Sequence, residues 1–341
     1  MASTTTSLHT PSGTVVINKI GHGLMSMTLT GTIPDEQCFA AIKGGVDSLP
    51  EGVKMFLNGG EFYGPNANTA NLEMLSRFFE KYPEYADKTF LSVKGGINLK
   101  AFSIDGSEEN TKASIENVLD KLRGKKKLDL YQFGRVDKNV PLETTLDVMA
   151  QYVKEGKVGS IGMSEVRAET LLRGHKFHPV TAVEIEVSPW EYGSEQKKVI
   201  EVAKENNIAV IAYSPIGRGF LSGEFKKFED LPENDRRRQW PRFQKENFEK
   251  NVVIVDQLQA ISKPKGITPA QLSIAWVSTL GPHVVPLPGS ARTDRTLENL
   301  ASNNVTFTTE ELAKVNEVVE NAAITVQGDR YPEAHMAALW A

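Results

Sequence analysis

Eight short apolar runs, each followed by a stretch long enough for a helix, govern what this 341-residue chain can become. The runs fall at 20–24, 55–57, 90–93, 128–133, 160–163, 182–187, 209–212 and 283–287. Between them lie segments with helical spacing at 34–46, 68–82, 107–122, 141–155, 169–173, 194–206, 247–261, 268–279, 293–301 and 309–321. Alternating strand and helix signals imply a parallel sheet, since a parallel return needs a crossover. Eight such units in about 300 residues suit a closed barrel better than an open doubly wound sheet. Gly21-His22-Gly23 after the first run is only the first half of a dinucleotide-binding glycine turn, which also counts against an open nucleotide-binding sheet. The expected fold is therefore α/β, a (β/α)8 barrel. An N-terminal β-hairpin near 14–18 closes one end, and extra helices and long loops follow strand seven and the last strand. Gly44-Gly45 reads as the stop of the first helix, and the C-terminal tail reads as irregular. No linker rich in Gly, Ser or Pro divides the chain.

Composition narrows the function. Lys plus Arg number 39 against 43 for Asp plus Glu, which argues against a general nucleic-acid or membrane-surface binder. The single cysteine, Cys38, permits no disulfide within the chain and no cysteine-based metal site. The six histidines are scattered without ligand spacing, so no metal is expected. His22, near a strand end, reads as a packed or solvated histidine. The polar N-terminus lacks the apolar stretch of a secretory signal, and no apolar run approaches the roughly 20 residues that span a bilayer. These features imply a soluble, cytoplasmic protein, with nuclear presence left open.

In a parallel barrel the chemistry sits where the strands end. The second run ends in Asn58-Gly59-Gly60-Glu61-Phe62-Tyr63-Gly64, and the third in Lys94-Gly95-Gly96. A Tyr and a Lys on adjacent strand ends form an acid–base pair, in which the ammonium favours the phenolate. Taken alone, Tyr63 is equally well a packed aromatic and Lys94 a solvated charge. Two further turns suit phosphates. Ser214, Pro215, Gly217, Arg218 and Gly219 make a small-residue turn whose backbone amides can approach a pyrophosphate. Gly289, Ser290, Ala291 and Arg292 lead into a helix with Arg295 one turn inside it, where the helix N-terminus and guanidinium groups favour an anion. The bland alternatives are a flexible loop start and a solvated helix face. Arg236-Arg237-Arg238, flanked by acidic residues and prolines, reads as a solvated loop partly covering the site rather than a nucleic-acid patch.

The polar strand ends, taken in order, resemble the aldo-keto reductase family over nearly the whole chain. The matching stretches are GHGLMSM, FLNGGEFYG, LSVKGG, DLYQFGRVDKNVPLE, VGSIGMSEV, VEIEVSPW, AYSPIGRGFLSG and PGSARTDRTLEN. Within the family the pattern is closest to the fungal pyridoxal reductases. The resemblance implies that residues 1–341 form one barrel domain that binds NADPH and reduces an aldehyde to an alcohol, with pyridoxal to pyridoxine the expected reaction. Tyr63 and Lys94 match two of the four catalytic positions of the family. The usual Asp is replaced by Asn58, which can orient the Lys94 ammonium without neutralising it, and the usual His by Gly134, which leaves room for a bulkier substrate. Tyr213 matches the tyrosine that stacks on the nicotinamide ring, and Ser164 and Glu184 the contacts to its carboxamide. Glu165 stands where many relatives have Asn and, if buried, needs a partner. Ser214, Pro215, Gly217, Arg218 and Gly219 match the pyrophosphate turn. Gly289, Ser290, Arg292 and Arg295 match the 2′-phosphate site, and Glu298 and Asn299 the adenine contacts. Two cations there favour NADP over NAD. Met25, Phe62 and Trp190 are expected around the site by loop position, with Met25 also counted toward the cofactor and Phe62, Gly134 and Trp190 toward the substrate. The two departures keep other readings open: a non-catalytic NADPH-binding regulatory subunit, or a reductase of an activated alkene. Oligomeric state is not legible.

Overall fold

The computed structural model describes residues 3–101 and 103–341. It opens with a hairpin of β1 (Thr5–Thr10) and β2 (Gly13–Asn18), then β3 (His22–Gly23) and the short helix α1 (Met25–Thr28). Next come α2 (Asp35–Asp47), β4 (Met55–Gly60), α3 (Ala70–Lys81) and β5 (Thr89–Gly95). A small ribbon, β6 (Ile97–Asn98) with β7 (Ser103–Ile104), precedes α4 (Glu108–Leu122) and β8 (Leu130–Phe133). Then α5 (Leu142–Lys154), β9 (Ile161–Ser164), α6 (Ala168–Phe177), β10 (Ala182–Glu186), α7 (Ser194–Glu205) and β11 (Ala209–Tyr213) follow. The long connection after β11 carries α8 (Lys245–Ser262) and α9 (Pro269–Thr279) before β12 (Val284–Leu287). The chain ends through α10 (Thr293–Ala301), α11 (Thr309–Thr325) and α12 (Glu333–Met336).

Eight parallel strands form one sheet in the order β12-β11-β10-β9-β8-β5-β4-β3. A parallel bridge between Gly23 and Gly289, with the Gly23 amide donating to Pro288 O at 2.9 Å, joins its two edges and closes the expected barrel. The amphipathic segments become helices that cover the outward strand side chains. Those outward residues include Met55, Leu57, Leu91, Val93, Tyr131 and Val183. Inside lies a second, smaller core of Phe56, Phe90, Leu130, Ala182, Ala209, Ile211, Val285 and Leu287. Leu8 and Ile17 of the hairpin plug this inner core from below. Because side chains alternate across a strand, the next inward positions above that apolar layer are Asn58, Ser92, Gln132 and Glu184. A polar storey sits on an apolar floor, and it faces the C-terminal ends of the strands.

Two expectations are corrected. Gly44-Gly45 does not stop its helix, which runs on to Asp47. A Cβ at 44 would lie 2.6 Å from Thr293 Cγ2, and one at 45 would lie 3.1 Å from Thr296 Cγ2, so the glycines let α10 pack closely on α2. The tail is not irregular throughout. It carries α12, and it inserts Arg330 into the barrel mouth, 3 % exposed.

Candidate active site

Tyr63 reaches the barrel mouth through a tight turn. Its ring folds back over Gly60, where an added Cβ would fall 2.8 Å from the ring carbons. Gly60 is thus required so that β4 can continue to its end beneath the tyrosine. The Thr28 hydroxyl donates to Tyr63 O at 2.5 Å and pins the turn to α1. Lys94 points inward from the end of β5, and its Nζ lies 5.3 Å from the Tyr63 ring centroid. The structure therefore brings the two side chains together. Phe62 packs edge-on against Tyr63 and lies over Gly134, with its Cζ 3.5 Å from where a Cβ at 134 would stand. That ring borders the room expected at Gly134, in ordinary contact with the Cβ position.

The surroundings of Lys94 differ from expectation. Its ammonium donates to Asn58 Oδ1 at 2.7 Å and to Glu184 Oε1 at 2.5 Å. Glu184 was expected at the carboxamide of the cofactor; here both its oxygens turn inward, and Oε2 accepts from Asn58 Nδ2 at 2.7 Å and Gln132 Nε2 at 3.0 Å. Lys94 is thus not an uncompensated cation. Burial alone would push the Lys94 ammonium down, but the Glu184 carboxylate and the Tyr63 phenol outweigh it and hold Lys94 above its ordinary value. For Tyr63, burial pushes the phenol up, and the pull of Lys94 does not fully offset it. The ammonium does not deliver a phenolate at neutral pH: Tyr63 keeps its proton, which is the state a proton donor needs.

A second charged network closes the mouth, and sequence reasoning missed its centre. Arg330 donates to Glu186 Oε2 at 2.9 Å and to Glu165 Oε1 at 3.0 Å. Glu165, fully buried with φ 55°, thereby finds the partner its burial demands. Tyr213 donates to Glu165 Oε1 at 2.7 Å, and its oxygen lies 3.1 Å from the Tyr331 hydroxyl. Arg218 bonds Glu186 Oε2 at 2.6 Å and lies against the rings of both Trp240 and Tyr331, at 4.6 and 4.4 Å from their centroids. Its guanidinium is therefore engaged, and the turn beside it is tight: Ser214, Gly217, Arg218 and Gly219 all have positive φ, from 53° to 88°. Within that left-handed run the Gly217 amide donates to Ser214 O at 2.8 Å and the Gly219 amide to Ile216 O at 3.0 Å, so the turn is closed on itself. Pro215 is buried beneath it.

The other expected contacts scatter. Ser164 is buried at the end of β9, and Met25 lies 44 % exposed on α1 at the rim. Trp190 is not a pocket wall. It stacks on Phe220 at 4.2 Å and packs edge-on to Phe243, 4 % exposed. Arg237 and Arg238 are not a solvated patch either: Arg237 pairs with Asp235 and donates to Arg218 O at 2.8 Å, and Arg238 donates to Leu231 O at 2.7 Å. At the second phosphate turn, Ser290 Oγ accepts from the Arg292 amide at 3.0 Å, so the hydroxyl caps the approach to α10. Arg292 pairs with Asp294, and Arg295 with Glu224, in exposed ion pairs that a phosphate can displace. Glu298 accepts from Thr268 at 2.8 Å, and Asn299 is buried. Gly289 serves first in barrel closure. Among the described residues no cluster of potential metal ligands occurs, and no helix is long and apolar enough to cross a membrane.

An eight-stranded parallel barrel with a Tyr–Lys pair at its C-terminal mouth defines a class of protein. The chain belongs to the aldo/keto reductase family, whose model matches residues 19–320. It is 34 % identical over 314 residues to a probable pyridoxal reductase of Schizosaccharomyces pombe, covering 90 % of this chain and 93 % of that one. It is 35 % identical over 282 residues to an NADP(+) aldo-keto reductase of the same yeast, covering 81 % of each. A glycerol dehydrogenase from Gluconobacter oxydans shares the fold, with TM-score 0.79 at 22 % identity over 94 % of this chain and 97 % of that one. That family membership makes the protein an NADP-dependent oxidoreductase.

Proposed function

We propose that this protein reduces an aldehyde to an alcohol with NADPH, and that pyridoxal is the aldehyde. The observation that carries the reading is the pairing of half-buried Tyr63 with a buried, charge-compensated Lys94 at the C-terminal mouth of the barrel. NADPH, when bound, supplies a hydride to the carbonyl carbon. The residues fit that cofactor: Ser290, Arg292 and Arg295 at the head of α10 offer the contacts of a 2′-phosphate, and the small-residue turn from Ser214 to Gly219 would border the pyrophosphate. Tyr213, Ser164 and Asn299 line the cofactor side.

Tyr63 carries the protein's part of the chemistry. Its phenol donates a hydrogen bond to the carbonyl oxygen and passes its proton there as negative charge develops. Lys94 stabilises the phenolate left behind, since its ammonium is held charged in a dry site. Phe62, against Gly134, offers an aromatic face to a ring-bearing aldehyde. The specific substrate draws support from the resemblance to the yeast enzyme alone.

The test is NADPH oxidation with pyridoxal by the wild type and by Tyr63→Phe. General acid catalysis predicts a loss of roughly 100- to 10,000-fold in the variant, with NADPH affinity retained. Full turnover in Tyr63→Phe would move the proton donor elsewhere and sink the mechanism. NADPH binding with no turnover of pyridoxal or any other carbonyl would point to a binding subunit instead.

A further inference from the structure

A buried ammonium needs a carboxylate, and the side chain next to Lys94 on the adjoining strand does not provide one. Asn58 is an amide. The charge arrives from Glu184 on β10, which is separated from β5 by β8 and β9 in the sheet. The three groups close a ring: Lys94 to Glu184 at 2.5 Å, Lys94 to Asn58 at 2.7 Å, and Asn58 to Glu184 at 2.7 Å. All three residues are 5 % exposed or less, so the charges act in a poorly screened site. Gln132 joins from β8, donating to Glu184 Oε2 and to Ser92 Oγ while its own Oε1 has no partner.

We propose that Glu184 is the counter-ion of Lys94, setting the proton affinity of the Tyr63–Lys94 pair, and that this charge can be moved to position 58 without loss. The reason is the symmetry of the hydrogen bonds. With Asp at 58 and Gln at 184, Lys94 still meets one carboxylate and one amide oxygen. The amide nitrogen now donates from 184 to 58 instead of the reverse. Gln132 satisfies the new neighbour by turning its amide over, so that its unpartnered oxygen accepts from 184 and from the Ser92 hydroxyl. Glu184 is thus a positioning residue that acts through Lys94. The charged and titratable groups facing the pair are Glu184 from β10 and Arg135 from the loop after β8, whose positive charge also draws the Tyr63 phenol down. Every other side chain in the ring is a neutral amide or hydroxyl.

The inference rests on reading Tyr63 and Lys94 as the proton-delivering pair, but its test measures ionisation without cofactor or substrate, so the two can fail separately. Protein carrying tyrosine labelled with 13C at Cζ is titrated by NMR, with the Tyr63 signal identified by its loss in Tyr63→Phe. That signal moves when the phenol ionises and, by less, when the neighbouring ammonium discharges. In Glu184→Gln the first ionisation step of the pair falls by roughly one to three pH units, whichever of the two groups yields the proton. Asn58→Asp added to Glu184→Gln returns the step to the wild-type position, and Asn58→Asp alone raises it. A Glu184→Gln titration that matches the wild type overturns the proposal, and so does a double variant that stays as low as the single. Should Glu184→Gln fail to fold, the double variant decides alone: a wild-type step supports an exchangeable counter-ion, and a lowered step refutes it.

Discussion

Lowering the pH should destabilise this protein through one histidine that takes no part in the chemistry. His22 begins its barrel strand 2 % exposed, and its Nε2 lies 2.9 Å from Ser290 O. Nε2 therefore carries the hydrogen and donates it, while Nδ1 is buried without a partner. A proton on Nδ1 would place an unpaired charge in the core. Burial accordingly pushes the imidazole down from 6.5 to about 4, against a smaller upward pull from the Ser290 carbonyl. The unfolded chain binds the proton at the higher value. Between the two values it holds more protons than the native state, so stability is full above about pH 7 and is lost as the pH falls toward 4. The linkage relation gives a loss of about 2 kcal/mol at pH 5 and about 3.4 kcal/mol once both states are protonated. Urea unfolding of the wild type and of His22→Gln, at pH 7.5 and pH 5, measures it. Glutamine can donate to Ser290 but cannot titrate. Carboxylates contribute the same acid loss to both proteins, so the difference between them isolates His22. Equal losses in the two proteins would refute the reasoning.

Other outcomes follow from the same geometry. Arg330→Ala strands Glu165 in the core, while Glu186 keeps Arg218, and should cost about 3–5 kcal/mol, read from chemical denaturation; a change below 1 kcal/mol would mean that water already reaches Glu165. Arg295→Ala and Arg292→Ala should each raise the KM for NADPH by roughly tenfold while leaving that for NADH unchanged, since a charge-assisted hydrogen bond to a phosphate is at stake. Parallel increases for both cofactors would remove these residues from the 2′-phosphate.

Much of the barrel was legible because its two periods are local. The apolar runs carry strand spacing, and the intervening stretches carry helical spacing, so the order of elements followed without knowledge of contacts. Tyr63 and Lys94 were legible for a related reason: consecutive parallel strands neighbour each other, so their ends must meet. What escaped depends on closure. Lys94 and Glu184 meet across the barrel interior, three strands apart in the sheet, and no local spacing encodes that meeting. Gln132 offered a signal, since it stands two residues after inward Leu130 just as Asn58 stands two after Phe56. Gly44 and Gly45 were misread because the close approach of α10 lies some 250 residues away in sequence. Trp190 was misjudged because loop position says nothing of which way an indole turns. Arg330 had no periodic neighbours to announce it.

That arginine has a consequence for how the chain is made. It follows its partners Glu165 and Glu186 by 165 and 144 residues. At about 5–20 residues per second, a ribosome takes roughly 8–33 s to supply the guanidinium after Glu165 has been added. During that interval burying Glu165 would leave its charge unpaired, so it must stay hydrated, whereas Glu186 can already meet Arg218. The barrel can gather its apolar floor and its hairpin plug while synthesis continues. Its mouth, where the chemistry sits, cannot set until the last segment arrives, so competence comes as the final act of folding.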